Sequence, residues 1–399
     1  MGIVPLTEPQ QAAPHGPRRS ALLALGFRPF YLLAAGFAAI VIPAWLAMFA
    51  GLLPPPAAFA AVPWHAHEML FGFACAVISG FLFTAGRAWT GLDTPTGTPL
   101  AMLAGLWLCG RVAFAIAPAG LAAAIDLAFL PAVAIALGRV LLRAGNKRNY
   151  FVLVLLAALF AANLLFHLRA AGVLGGDPLQ AVLIGLALVT TLETVIGGRI
   201  IPNFTSNGLG GLKIDRNQPL EKAAIALTIA ALLAWALAAP GWLVVPLAVL
   251  AGALQIARSL SWRPGATLKT PLLWILHLSH GWIALGLLLI AAAGLGWTAA
   301  SVAVHALAIG AMAGLIMGMI TRTSLGHTGR ALVAGSIETA CYVLVHVAVL
   351  TRILPSLIAP DLYWFGLLAA GAAWSGAFLL YLLRYGPILW RPRIDGRPG

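Results

Sequence analysis

Apolar runs follow one another along almost the whole chain, each broken by a charge, a proline or a glycine pair. A helix that crosses a bilayer needs roughly 20 predominantly apolar residues, and the runs that meet this length predict twelve spans. They fall at 29–50, 66–87, 99–117, 121–142, 150–171, 179–200, 221–238, 242–258, 271–293, 298–320, 331–354 and 362–384. The first run is too long for the apolar core of a cleaved leader, and eleven more follow it. Residues 1–26 read as a disordered tail, 27–386 as a single transmembrane domain and 387–399 as a second, short tail. The expected fold is therefore an all-α polytopic integral membrane protein.

Charge orients these spans. If both termini are cytoplasmic, every basic residue among the 24 except Arg111, Arg169 and Arg352 falls in a tail, in an even-numbered connection or at the span end that borders one, as expected when Lys and Arg gather on the cytoplasmic side. Trp64, Trp89, Trp242, Trp262, Trp297, Trp364 and Trp390 lie near span ends, where indoles anchor at the interface. Gly310, Gly314 and Gly318, four apart on span 10, predict a smooth helix face for close packing.

Composition closes off other classes. With 61% hydrophobic and 9% charged residues and a mean hydropathy of +0.97, the chain is not a soluble globular domain. The net charge of +13 is explained by the cytoplasmic loops, so nucleic acid is not expected as a partner and membrane lipid is. Cys75, Cys109 and Cys341 all sit in apolar runs, and no CxxCH occurs; this excludes a disulfide scaffold, a thiolate zinc site and covalently attached haem.

Ionisable residues inside a bilayer are costly, and they are usually paired or functional. Arg111 and Asp126 lie near the outer ends of spans 3 and 4, joined by a tight turn, and should form an ion pair. Seven of the nine histidines lie in or at the edge of the membrane: His65, His67, His167, His277, His280, His305 and His346. Neutral imidazole suits copper, iron and zinc. In Trp64-His65-Ala66-His67-Glu68, two histidines two apart face the same side only in an extended chain. If Pro63 keeps the entry non-helical, both could reach one ion, with Glu68 orienting a ring through its other nitrogen. His277 and His280 fall in an inner layer with Glu193 and Glu338. The segments around Arg199-Ile200-Ile201-Pro202 and from Arg322 through His327 to Arg330 read as helix ends and loops, able to hold an anionic group such as a haem propionate.

These segments together resemble the NnrS family, haem- and copper-containing membrane proteins of the bacterial nitric oxide response. The resemblance rests on Phe27-Arg28-Pro29-Phe30, on WHAHEMLFGF from Trp64 to Phe73 and on GGRIIPNFTSN from Gly197 to Asn207. The region around His277 and Trp282 and the stretch from His305 to Arg330, ending in GHTGR, complete it. It implies haem b and copper as cofactors, nitric oxide as ligand, and a multi-pass protein of the bacterial inner membrane. The matching positions are His65, His67, Glu68, Arg199, His277, His305, Arg322 and His327. On this reading His65, His67, His305 and His277 are candidate metal ligands, and His305, His277, Arg199, Arg322 and His327 are candidate haem contacts. His305 is the first choice for haem; a histidine such as His167 then completes the copper site. A reductase of the haem-copper oxidase type would use an adjacent His-His pair, which is absent, so an enzymatic activity and its electron donor stay open. The rival from another class is a proton-coupled metal or solute transporter relaying ions through the His and Glu layers.

Overall fold

A computed structural model describes residues 20–56 and 59–397; most of the predicted N-terminal tail lies outside them. The described residues are helical, without strands. The twelve long helices are α1 (Phe27–Phe49), α2 (Ala61–Thr90), α3 (Gly97–Ile116), α4 (Ala119–Arg143), α5 (Phe151–Ala170) and α6 (Pro178–Gly208), followed by α7 (Gln218–Ala236), α8 (Gly241–Ser261), α9 (Pro271–Gly294), α10 (Ala300–Gly326), α11 (Ser336–Ile358) and α12 (Tyr363–Trp390). Each is long and apolar enough to cross a membrane, the architecture of a multi-pass membrane protein.

Most boundaries agree with the apolar runs to within a few residues, and the departures have local causes. α2 begins at Ala61, so Pro63 lies in its first turn, where the backbone N–H groups have no intrahelical acceptor and a proline costs nothing. The entry before His65 is thus helical, not extended. α6 runs through Gly197-Gly198 and Pro202 to Gly208, and α10 continues through Arg322 to Gly326. The Gly197-Gly198 pair does not stop α6, whereas α10 does end inside its glycine-rich stretch, at Gly326. At Gly197 a Cβ would stand 3.2 Å from the His280 ring, and at Gly198 it would collide with the Arg258 guanidinium. Both glycines therefore serve close approach within a continuous helix.

α2 and α10 form the centre; 89% and 72% of their most apolar windows are buried. Around them the other helices pack largely in chain order, α3 on α4, α4 on α5 and onward to α8 on α9, while α12 packs on both α11 and α1 and closes the ring. The Ala21 N–H donates to the Trp390 carbonyl at 2.9 Å, and Arg28 Nη1 donates to the carbonyls of Leu389 and Arg391 at 2.8 Å each. Both ends of the described chain therefore emerge on one face, called here the terminal face. α9 fits the glycine face of α10: Gly310 meets Trp282, Gly314 meets Ser279, and Gly318 meets Leu276 and Ile275. The two central helices each contain a π-helical stretch, Glu68–Ala74 in α2 and Ala306–Ala313 in α10, and each stretch begins one residue after a histidine. Such widened turns concentrate at functional sites.

Candidate metal centre

The first turns of α2 place His67 and Glu68 in the half of the bundle away from the terminal face, both 0–1% exposed. α3 supplies Arg111, α4 supplies Asp126, and α5 supplies Asn163 and His167, one helical turn apart and therefore on one side of that helix. Arg111 holds Glu68 with Nη1 and Asp126 with Nη2, so a single guanidinium ties α2, α3 and α4 together. The Arg111–Asp126 pair expected from their depth is present. His67 Nδ1 lies 3.0 Å from Glu68 Oε1, and its Nε2 lies 2.9 Å from Asn163 Oδ1 and 3.3 Å from Asp126 Oδ2. Asp126 Oδ2 also accepts from Asn163 Nδ2 at 2.7 Å and lies 3.0 Å from His167 Nε2.

Ligand atoms of His67, Asp126 and His167 all lie within 4.8 Å of one another, and all three residues are buried. Their surroundings are aromatic: Phe166 and Phe71 stand 4.7 and 5.2 Å from the His67 ring, and Phe114 stacks parallel to the His167 ring at 6.0 Å. Phe59 lies about as far from both rings. These rings exclude water and leave the polar atoms only one another.

Donor and acceptor counting shows that this set is incomplete by itself. If His67 donates its Nδ1 proton to Glu68, the Nε2 lone pair faces the Asn163 and Asp126 oxygens, acceptor against acceptor. Flipping the Asn163 amide turns its NH2 toward His67 but sets its oxygen against Asp126, so one repulsive contact remains in either orientation. Charge counting agrees. With both carboxylates ionised, Arg111 charged and the imidazoles neutral, the cluster carries a net charge of −1. One positive charge between His67 and Asp126, a proton or a metal ion, resolves both conflicts.

The remaining sequence candidates divide among other places. His65 does not join His67. In a helix residues two apart point to different sides, and His65 instead stacks on Trp45 at 4.1 Å, with His305 and Arg352 in its neighbourhood. The expectation of two histidines on one ion is conditioned on an extended entry, and that entry is helical. His305 Nδ1 donates to the Ser301 carbonyl at 2.6 Å. His277 meets Thr205 Oγ1 at 2.7 Å and borders a groove of about 650 Å³ that Trp274 and Trp282 also line. The packing of Ser279 on Gly314 and Leu276 on Gly318 sets His277 roughly eleven residues along α10 from His305, ~17 Å at 1.5 Å per residue. Arg199 lies over Phe151, Arg322 over Phe204 at 4.0 Å, and His327 against Phe27 at 5.7 Å. Nor does the inner His/Glu layer form one site: His280 meets Ser259 at 3.0 Å, while Glu338 accepts from Arg384, Tyr385 and the Gly335 N–H. Asn163 went unmarked by the sequence reading, and the i, i+4 pairing Asn163–His167 is the pattern that could have found it.

The model of the family described as NnrS protein matches residues 21–393, from the turn before α1 to just beyond α12. The chain belongs to the NnrS family. The match covers all four helices that build the cluster, and membership is consistent with a role in the nitric oxide response and with metal binding. No curated protein matches this NnrS-family chain.

Proposed function

We propose that this NnrS-family protein is a copper protein of the nitric oxide response, in which His67, His167 and Asp126 hold one copper ion and nitric oxide meets it inside the membrane. The observation that supports this is the unresolved set of acceptors between His67 and Asp126 described above. Two imidazoles and a carboxylate suit copper, iron(II) and zinc alike. Charge favours copper in its monovalent state, because one positive charge neutralises the cluster whereas a divalent ion leaves it at +1 in a medium where net charge is costly. The two-histidine, one-carboxylate set keeps iron(II) as the second reading.

Each residue has a separable task. Glu68 accepts the His67 Nδ1 proton and so fixes the tautomer that presents Nε2. Asn163 steers the free Asp126 oxygen, and Arg111 keeps both carboxylates in the apolar interior. Phe59, Phe71, Phe114 and Phe166 exclude water while admitting a small, weakly polar gas. Copper, when bound, would supply a redox-active ion able to coordinate nitric oxide. For haem b, His305 and His277 do not converge, and the groove beside His277 has no Lys or Arg in its lining to meet propionates. The residues named for haem thus form no common pocket, and no haem step enters this reading.

Metal analysis of the purified protein tests the proposal. The wild type should carry copper, His67→Ala/His167→Ala should lose it, and His65→Ala should keep it. Folded His67→Ala/His167→Ala protein with undiminished copper would refute the assignment, and iron in place of copper would establish the second reading.

A further inference from the structure

One half-buried acidic residue lies apart from the metal centre with one carboxyl oxygen enclosed. Glu193, midway along α6, lines a small cavity between α1, α2, α6 and α10 of about 90 Å³, room for roughly three water molecules at ~30 Å³ each. Of the residues lining it, only Tyr31 and Glu193 carry polar side chains; the wall is otherwise residues such as Phe81, Ile196, Leu315 and Met319. Glu193 Oε2 and Tyr31 Oη are both sealed from solvent, and Glu193 Oε2 has no hydrogen-bond partner.

No cation answers this carboxyl. α2 and α10 present only apolar side chains to the cavity, and α1 presents the Tyr31 phenol. From α8, Arg258 reaches the Thr194 carbonyl at 3.2 Å, but its guanidinium is engaged with Glu221 at 2.8 Å. From α9, His280 stands against Gly197, one turn along α6, with Nδ1 toward Ser259. The contrast with Glu68, Asp126, Glu221 and Glu338 is complete, since each of those has an arginine. Nor can the cavity hold a hard metal cation, which requires six or more oxygen ligands where one carboxyl and one phenol are on offer. What a lone carboxyl in an apolar, water-sized cavity can bind is a proton.

We propose that Glu193 is a proton-binding site of the membrane interior, taking up and releasing a proton through the water-sized cavity it shares with Tyr31. The site is independent of the copper assignment. Glu193→Gln has the shape of the protonated acid and should fold and retain wild-type copper, so failure of one reading leaves the other intact.

The test is infrared spectroscopy of the full chain at stepped pH, with dicyclohexylcarbodiimide as a second probe, because this apolar reagent attacks sheltered protonated carboxyls. Wild-type protein should show a carboxylic-acid C=O band that Glu193→Gln removes and that disappears at high pH. The reagent should modify Glu193 and leave Glu68 and Asp126 untouched, with a rate that falls as pH rises and does not respond to sodium. Tyr31→Phe should keep the band but shift its frequency and its pH midpoint. Identical spectra of wild type and Glu193→Gln over the whole pH range would overturn the proposal. So would loss of the band on adding sodium at constant pH, which would make the cavity a cation site.

Discussion

At the scale of single residues, Glu68 shows how much of the centre is built behind the atoms that would touch an ion. It accepts from His67 Nδ1 and from Arg111, so Glu68→Gln keeps the shape but removes the charge that holds both. Copper affinity should fall roughly 10–100-fold without vanishing, as measured by competition with a chelator of known strength; an unchanged affinity would mean that His67 is oriented by something else. The sequence made part of this legible. Arg111 and Asp126 stood out because charges near the outer ends of two adjacent helices have few other partners. Asn163 did not, since one amide in an apolar helix looks like any packing residue until its neighbours are known. His65 and His67 looked like one site because the spacing of two is ambiguous, and Pro63, compatible with both an extended entry and a first helical turn, could not settle it.

At the scale of helices, apolar run length carried nearly all the information, because in a bilayer every backbone polar group must be satisfied within its own helix. The π-helical stretches of α2 and α10 were illegible: one extra residue in a turn changes neither run length nor composition. The glycine face of α10 was readable in advance, and its partner α9 was not. Where a Gly314 Cβ would stand, the Ser279 side chain already lies, its Cβ only 2.9 Å away, whereas Gly36 on α1 has nothing within 4 Å. Gly314→Val should therefore force α9 outward and destabilise the protein by about 1–3 kcal/mol, the usual cost of overpacking, while Gly36→Ala should be neutral or slightly stabilising. Denaturant unfolding of the two variants in the same detergent would distinguish them, and equal stabilities would show that the α9–α10 contact is looser than described.

At the scale of the whole molecule, twelve crossings place both ends on one face, and the distribution of Lys and Arg predicts that this face is cytoplasmic. In a variant lacking Cys75, Cys109 and Cys341, a cysteine placed near Pro55, between α1 and α2, should react with an impermeant reagent on intact cells. One placed near Lys147, between α4 and α5, should not; the reverse pattern would invert the molecule. The contact between Ala21 and Trp390 has a further consequence. Because α12 packs on α1 and Ala21, just before α1, lies within hydrogen-bonding distance of Trp390 at the end of α12, the order of helices is a closed loop with an arbitrary starting point. A circular permutant opened at the exposed Gly210-Gly211 turn, with a short linker from α12 to α1, would begin on the same face and thread every helix in its present direction. The sense of insertion thus belongs to the cycle of helices, and only the choice of which one is made first belongs to the linear chain.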